Sequence, residues 1–228
     1  MELMSQPIDR SLLTRYLVAW AYLAGFVITE SVFAALSVHQ RAAVVAWAST
    51  NVANLHHDPI GTLVVSAFIP TSLTVLWPVA IALAVFGANR VLGNWRTALL
   101  CAAGQVLGTG VSEGIVGYRI THHLLPALDA HIVDVGPSYV VVSLLGVAVL
   151  YGSLAARIAA AIDLAALVFG SRIFSGLTRL DVAAVGHATA LAVSVAAGTL
   201  LVRHRRRRDL AGEGLEDVAE VPGVLGDA

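Results

Sequence analysis

Long runs of apolar residues separated by short polar connections fill the chain from about residue 16 to residue 202. The first run, residues 16–38, is about long enough to cross a bilayer at ~1.5 Å of rise per residue. A long connection follows, residues 39–60, with Trp47 and the polar run Ser49, Thr50 and Asn51. The second run, 63–86, is interrupted by Pro70 and Pro78, which predicts a re-entrant or interfacial turn in its first part. A short basic turn at 87–94 leads to a third run, 95–116, where Gly104 and Gly108 let helices approach closely. The polar loop 117–136 carries His122, His123, Asp129, His131 and Asp134. The fourth run is short: residues 139–151 precede Gly152 and Ser153. That is ~20 Å of helix against a hydrocarbon core of ~30 Å, so one end must lie below the interface and be buried in protein. Runs at 155–174 and 182–202 bring the expected number of helices to six.

Composition agrees with that pattern. The chain of 228 residues is 57% hydrophobic and 13% charged, with a mean hydropathy of +0.80. A soluble domain of this size could not hide so much apolar surface, whereas lipid accepts it directly. The expected class is an all-α integral membrane protein. Five arginines occupy residues 203–208, directly after the last run. Such a basic stop marks the cytoplasmic end of a final transmembrane helix. When loops are assigned alternately to the two sides, ten arginines fall on that side and four on the other. The positive-inside rule then puts both termini in the cytoplasm, with the protein multi-pass in the plasma membrane. All 14 basic residues are arginine, which reads as the codon bias of a GC-rich, bacterial genome. Cys101 is the sole cysteine, so no disulfide forms within the chain. The N-terminus does not read as a signal peptide. The resulting division is a cytoplasmic segment 1–15, a membrane domain 16–202, and a basic stop with a disordered acidic tail, 203–228, six of whose residues from 209 onward are acids.

Two polar residues of the membrane domain share a depth. Ser138 opens the short fourth helix and lies ~21 Å above its inner end; His187 lies ~24 Å above the inner end of the sixth. A serine at a sunken helix start has free backbone N–H groups beside it, the material of an oxyanion hole. A histidine at matching depth is placed to take its proton as general base. Gly186, Ala190, Ser194 and Gly198 repeat every four residues along the sixth helix, and Gly146 lies eight residues after Ser138. Those small residues allow the two helices to lie close. The plainer readings remain: Ser138 as an N-cap, His187 as a neutral, hydrogen-bonded histidine inside the bundle.

With these residues in view, the chain resembles the rhomboid family of intramembrane serine proteases over about residues 12–202. The motif Gly136-Pro137-Ser138-Tyr139 is similar to the family's G-x-S-G at the start of a short fourth helix, and Gly146 matches a later family glycine. His187, with Ala190 and Ser194, stands in the place of the family's H-x-x-G-x-x-x-G on the sixth helix. The segment from Phe86 to Arg96 is similar to the family's turn between helices two and three. The resemblance implies a six-transmembrane-helix bundle, a Ser138–His187 dyad, and an oxyanion site around Gly136, Ser138 and Tyr139. It also implies a transmembrane protein substrate that is cut through an acyl-enzyme. The pattern departs from the family at three points. Helix two lacks the usual histidine and asparagine, with Thr74 and Pro78 near those places. Tyr139 replaces the motif's second glycine. Val142 stands where an aromatic usually supports the histidine ring. Those departures keep open a catalytically silent rhomboid-like protein that binds transmembrane clients.

Other candidates are weaker. Glu30, Glu113 and Asp163 lie within apolar runs, where charged groups are functional by default, and a small transporter is a third reading. The histidines at 56, 57, 122, 123 and 131 share one side with Asp58 and Asp129, but solvated loop residues explain them better than zinc does. No metal, cofactor or nucleic acid is expected, and the partners are the lipid bilayer and a transmembrane substrate or client.

Overall fold

The computed structural model describes residues 10–70, 72 and 75–219. Among them there are helices and no strand. In chain order these are α1 (Arg10–Arg15), α2 (Leu17–Ala35), α3 (Val38–Ala48), α4 (Val52–His57), α5 (Pro59–Ser66), α6 (Leu76–Leu92) and α7 (Asn94–Thr121), then α8 (Ser138–Tyr151), α9 (Leu154–Ala165) and α10 (Val182–Ala219). Short 3₁₀ turns at Ala127–His131 and Leu177–Arg179, and a π turn at Ala166–Gly170, join the later helices. Among the described residues, three segments are long and apolar enough to cross a membrane: Leu17–Ala35, Asn94–Thr121 and Val182–Arg205. Helices α6 and α8 are apolar but shorter.

Several boundaries depart from the sequence expectation for local reasons. The long connection after α2 is mostly helical. Ser37 caps α3 with a full capping box to Gln40, and Asn51 caps α4 through the Asn54 N–H. Pro59 and Pro78 both fall in the first turn of a helix, where a missing N–H costs no intrahelical bond. The interruption expected in the second run is the break between α5 and α6, around Pro70. The basic turn expected at 87–94 contracts to Gly93, whose φ of 76° favours glycine. The fifth run gives only 12 residues of α-helix before the π turn. The last helix continues through the arginines to Ala219, where the sequence led us to expect no regular structure. A helix already formed in the bundle extends without a new nucleation cost. Residues 1–9, 220–228 and Thr74 lie outside the described set.

Helix α8 forms the centre, packed against α6, α7, α9 and α10. Every residue from Tyr139 to Ala148 is buried. The walls approach through small residues. A Cβ added at Gly146 would collide with Ser194 of α10, and one at Gly104 of α7 would lie 2.7 Å from the Ser143 Cβ. A Cβ at Gly198 would meet Val147, and one at Gly186 would enter the Tyr139 ring. Tyr151 and Thr199 share a 2.8 Å hydrogen bond at the other end of α8. Asn89 and Asn94 anchor the start of the chain: their amides donate to the Arg15 and Thr14 carbonyls at 3.0 and 2.7 Å.

Candidate functional site

The start of α8 is set by a buried turn. Gly136 has φ 129°, in the region that favours glycine, and its N–H donates to the Ser66 carbonyl at 2.9 Å. The Ser66 hydroxyl in turn accepts from the Gln105 amide at 3.0 Å. Pro137 then occupies the cap position with no side-chain cap bond, and Ser138 is the first helical residue. Ser138 is therefore not the N-cap. Its side chain is half-buried. The first intrahelical bond of the ladder is from the Val141 N–H to the Pro137 carbonyl at 2.9 Å, so the N–H groups of residues 138–140 stand outside that ladder.

His187 lies in the second turn of α10 and is 5% exposed. Its Nδ1 is 3.1 Å from the Ile173 carbonyl oxygen, an acceptor only, which makes Nδ1 the protonated nitrogen of the neutral ring. Nε2 is buried with no hydrogen-bond partner, so it does not bond Ser138 in this structure. The aromatic neighbour of the imidazole is Tyr139, edge-on with ring centroids 5.1 Å apart. Val142, at the place where the family resemblance puts that aromatic, is fully buried.

Tyr139 carries the site outward. Its hydroxyl donates to Asp134 Oδ2 at 3.0 Å, and the Thr50 hydroxyl lies 3.2 Å from the same oxygen. The Thr50 N–H donates to the Asp134 carbonyl at 2.9 Å, while the Asp134 N–H donates to the Ser49 hydroxyl at 2.9 Å. These bonds clamp the α3–α4 junction onto the segment that enters α8. Burial pushes the Asp134 carboxyl up to about 6, although the Tyr139 and Thr50 hydroxyls favour its ionised form. In sequence, Asp134 read as one of several loop residues. Nothing in its spacing marked it as the partner of Tyr139, because the partnership runs through a turn.

Glu113 of α7 is 2% exposed, and neither carboxylate oxygen has a hydrogen-bond partner. It lines a cavity of about 320 Å³ with Val52, Leu55 and His56. Glu30 and Asp163 lie on other helices, α2 and α9. Among the described residues, no three His, Cys, Asp or Glu side chains come together to hold a metal ion. His122 instead stacks on the Tyr118 ring at 4.0 Å.

A family model for rhomboid-like proteins matches residues 15–208. The chain belongs to the rhomboid-like proteins. Comparison with curated proteins and with solved structures finds no match. The matched stretch takes in α2 to α9, the described part of α10 through the arginine run, and both Ser138 and His187. This rhomboid-like chain is thus an all-helical membrane protein whose short central helix begins at a serine.

Proposed function

We propose that this rhomboid-like protein is an intramembrane serine endopeptidase of a bacterial plasma membrane. In this reading it crosses six times with both termini cytoplasmic and cleaves transmembrane substrates with Ser138 as nucleophile and His187 as base. The observation that carries the reading is the state of the His187 ring. Its Nδ1 is held by the Ile173 carbonyl, and its bare Nε2 is the acceptor that a serine proton requires. As Ser138 Oγ bonds to the scissile carbonyl carbon, Nε2 takes the hydroxyl proton. It returns that proton to the departing amine as the C–N bond breaks, and water then hydrolyses the acyl ester by the same relay. The N–H groups at the start of α8 are the donors for the oxyanion. Ser138 Oγ meets Nε2 when substrate unwinds against α8, since hydrogen bonds of this kind tighten in the substrate complex.

The test is labelling of membranes by a serine-directed fluorophosphonate or isocoumarin probe. Wild type should be labelled, Ser138→Ala should abolish labelling, and His187→Ala should lower it sharply. Glu30→Gln should leave it intact. A folded wild type that no probe labels would sink the proteolytic reading.

A second reading, a catalytically silent protein that binds transmembrane clients, is favoured by Tyr139. That side chain fills the space beside Gly186 that a glycine would leave open. Residues 69–85 also contain no histidine or asparagine to supply a side-chain oxyanion donor. One such donor is worth ~2.7–4 kcal/mol in the transition state, so turnover is expected to be slow. Unchanged capture of clients by Ser138→Ala, together with absent labelling, would establish this reading instead.

A further inference from the structure

The end of α8 opposite Ser138 faces a different environment. There a cavity of about 310 Å³ is lined by Arg90, Arg205, Tyr151 and Ser153, with no carboxylate among its lining residues. A second cavity, about 490 Å³, runs along α6 past Phe86, Leu83 and Val79, facing Ala159 of α9. The two share Gly87, Arg90 and Ala156, and so form one groove with a cationic mouth and an apolar body. Small residues on both walls open it: glycine at 87 on α6, alanines at 156 and 159 on α9.

We propose that this groove is a binding site for one anionic phospholipid, with its phosphate at Arg90 and Arg205 and one acyl chain between α6 and α9. Three features point to a lipid. From Val79 to Arg90 is ~16 Å along the helix, about half of a ~30 Å hydrocarbon core, the depth of one leaflet. The guanidinium of Arg205 donates to the carbonyls of Arg90 and Val91 in the last turn of α6, which holds its charge over the mouth. In a bilayer the apolar body is filled by hydrocarbon, and the chain that fills it brings its own headgroup to the arginines. A free phosphate would use the mouth alone. Paired guanidinium groups suit a phosphate monoanion, which accepts their planar donor forks.

The site does not depend on the proteolytic reading. It is tested by native mass spectrometry of the full chain released from micelles titrated with phosphatidylglycerol or phosphatidylcholine. One phosphatidylglycerol should be retained per chain, in preference to phosphatidylcholine. Arg90→Ala should weaken that retention about fivefold, the worth of one basic residue near an anionic headgroup. Ala159→Trp should fill the body and abolish retention, while Arg207→Ala, at an exposed position outside the lining, should change nothing. Equal retention of phosphatidylcholine would overturn the proposal. So would equal losses in Arg90→Ala and Arg207→Ala, or retention that survives Ala159→Trp. Displacement of the lipid by millimolar inorganic phosphate would reduce the site to its mouth and overturn the acyl-chain assignment.

Discussion

Helices α8 and α9 follow one another in the chain, are both short, and have opposite surroundings. Helix α8 is 14 residues long and is buried on all sides from Tyr139 to Ala148. Helix α9 is 12 residues long and buries only Ala160. A short helix inside a membrane leaves polar backbone ends at depth, and these are tolerable only where protein supplies partners. The turn that leads into α8 has such partners: the Ser66 carbonyl accepts from the Gly136 N–H, and Thr50 and Ser49 bond the backbone of Asp134. Helix α9 instead runs into a π turn, with Ser171 N–H donating to the Ala166 carbonyl at 3.2 Å and Ile173 N–H to the Leu167 carbonyl at 3.3 Å. Enclosure, not length, separates the helix that carries the candidate site from the one that lies along the rim.

The comparison breaks most easily at the glycine contacts. Gly146→Leu should destabilise the bundle by more than ~3 kcal/mol, because the added side chain meets Ser194 where even a Cβ does not fit. Ala159→Leu on the rim of α9 should change stability by no more than about 0.5 kcal/mol. Thermal unfolding in a neutral detergent measures both, and equal losses would remove the distinction between the two helices.

A smaller effect concerns pH. The Asp134 carboxyl is pushed up to about 6 in the folded protein, against 3.8 for the free group. A raised carboxyl pKa means the folded state holds its proton longer, so stability is full below pH ~4 and is lost as pH rises through ~6. The loss is on the order of 3 kcal/mol at most. Unfolding midpoints measured from pH 4 to pH 7.5 should fall for the wild type, and Asp134→Asn should flatten that part of the profile. A wild-type slope unchanged in Asp134→Asn would assign it to another group.

Smaller again is Tyr139→Phe, which removes one donor to a buried carboxylate at a cost of about 1–3 kcal/mol. The phenyl ring keeps the edge contact with His187. If the proteolytic reading holds, probe labelling should therefore survive Tyr139→Phe better than Tyr139→Ala. Equal labelling of the two variants would show that the ring does not position the imidazole.

Hydropathy alone determined much of this protein: its helical class, the approximate place of each apolar segment, and the shortness of α8, because lipid enforces apolar runs and internally bonded backbone. The chain also displays its small-residue positions, Gly146, Gly186 and Ser194 among them. It shows equally that Ser138 opens a helix, since the Gly-Pro pair before it ends the preceding loop. Only the tertiary structure decided which groups meet. Asp134 finds Tyr139 and Thr50 through a turn and a hydrogen bond across 84 residues, and the His187 ring is held by the Ile173 carbonyl and the edge of Tyr139. Periodicity reports which face of a helix is apolar, not which polar side chain lies across from it. Likewise the arginines declare one end of the bundle from sequence, while the groove beside Arg90 forms only where α6 and α9 come together with glycine and alanine on its walls. Local pattern follows from the solvent each residue must meet; pairing follows from how helices that satisfy that solvent are then packed.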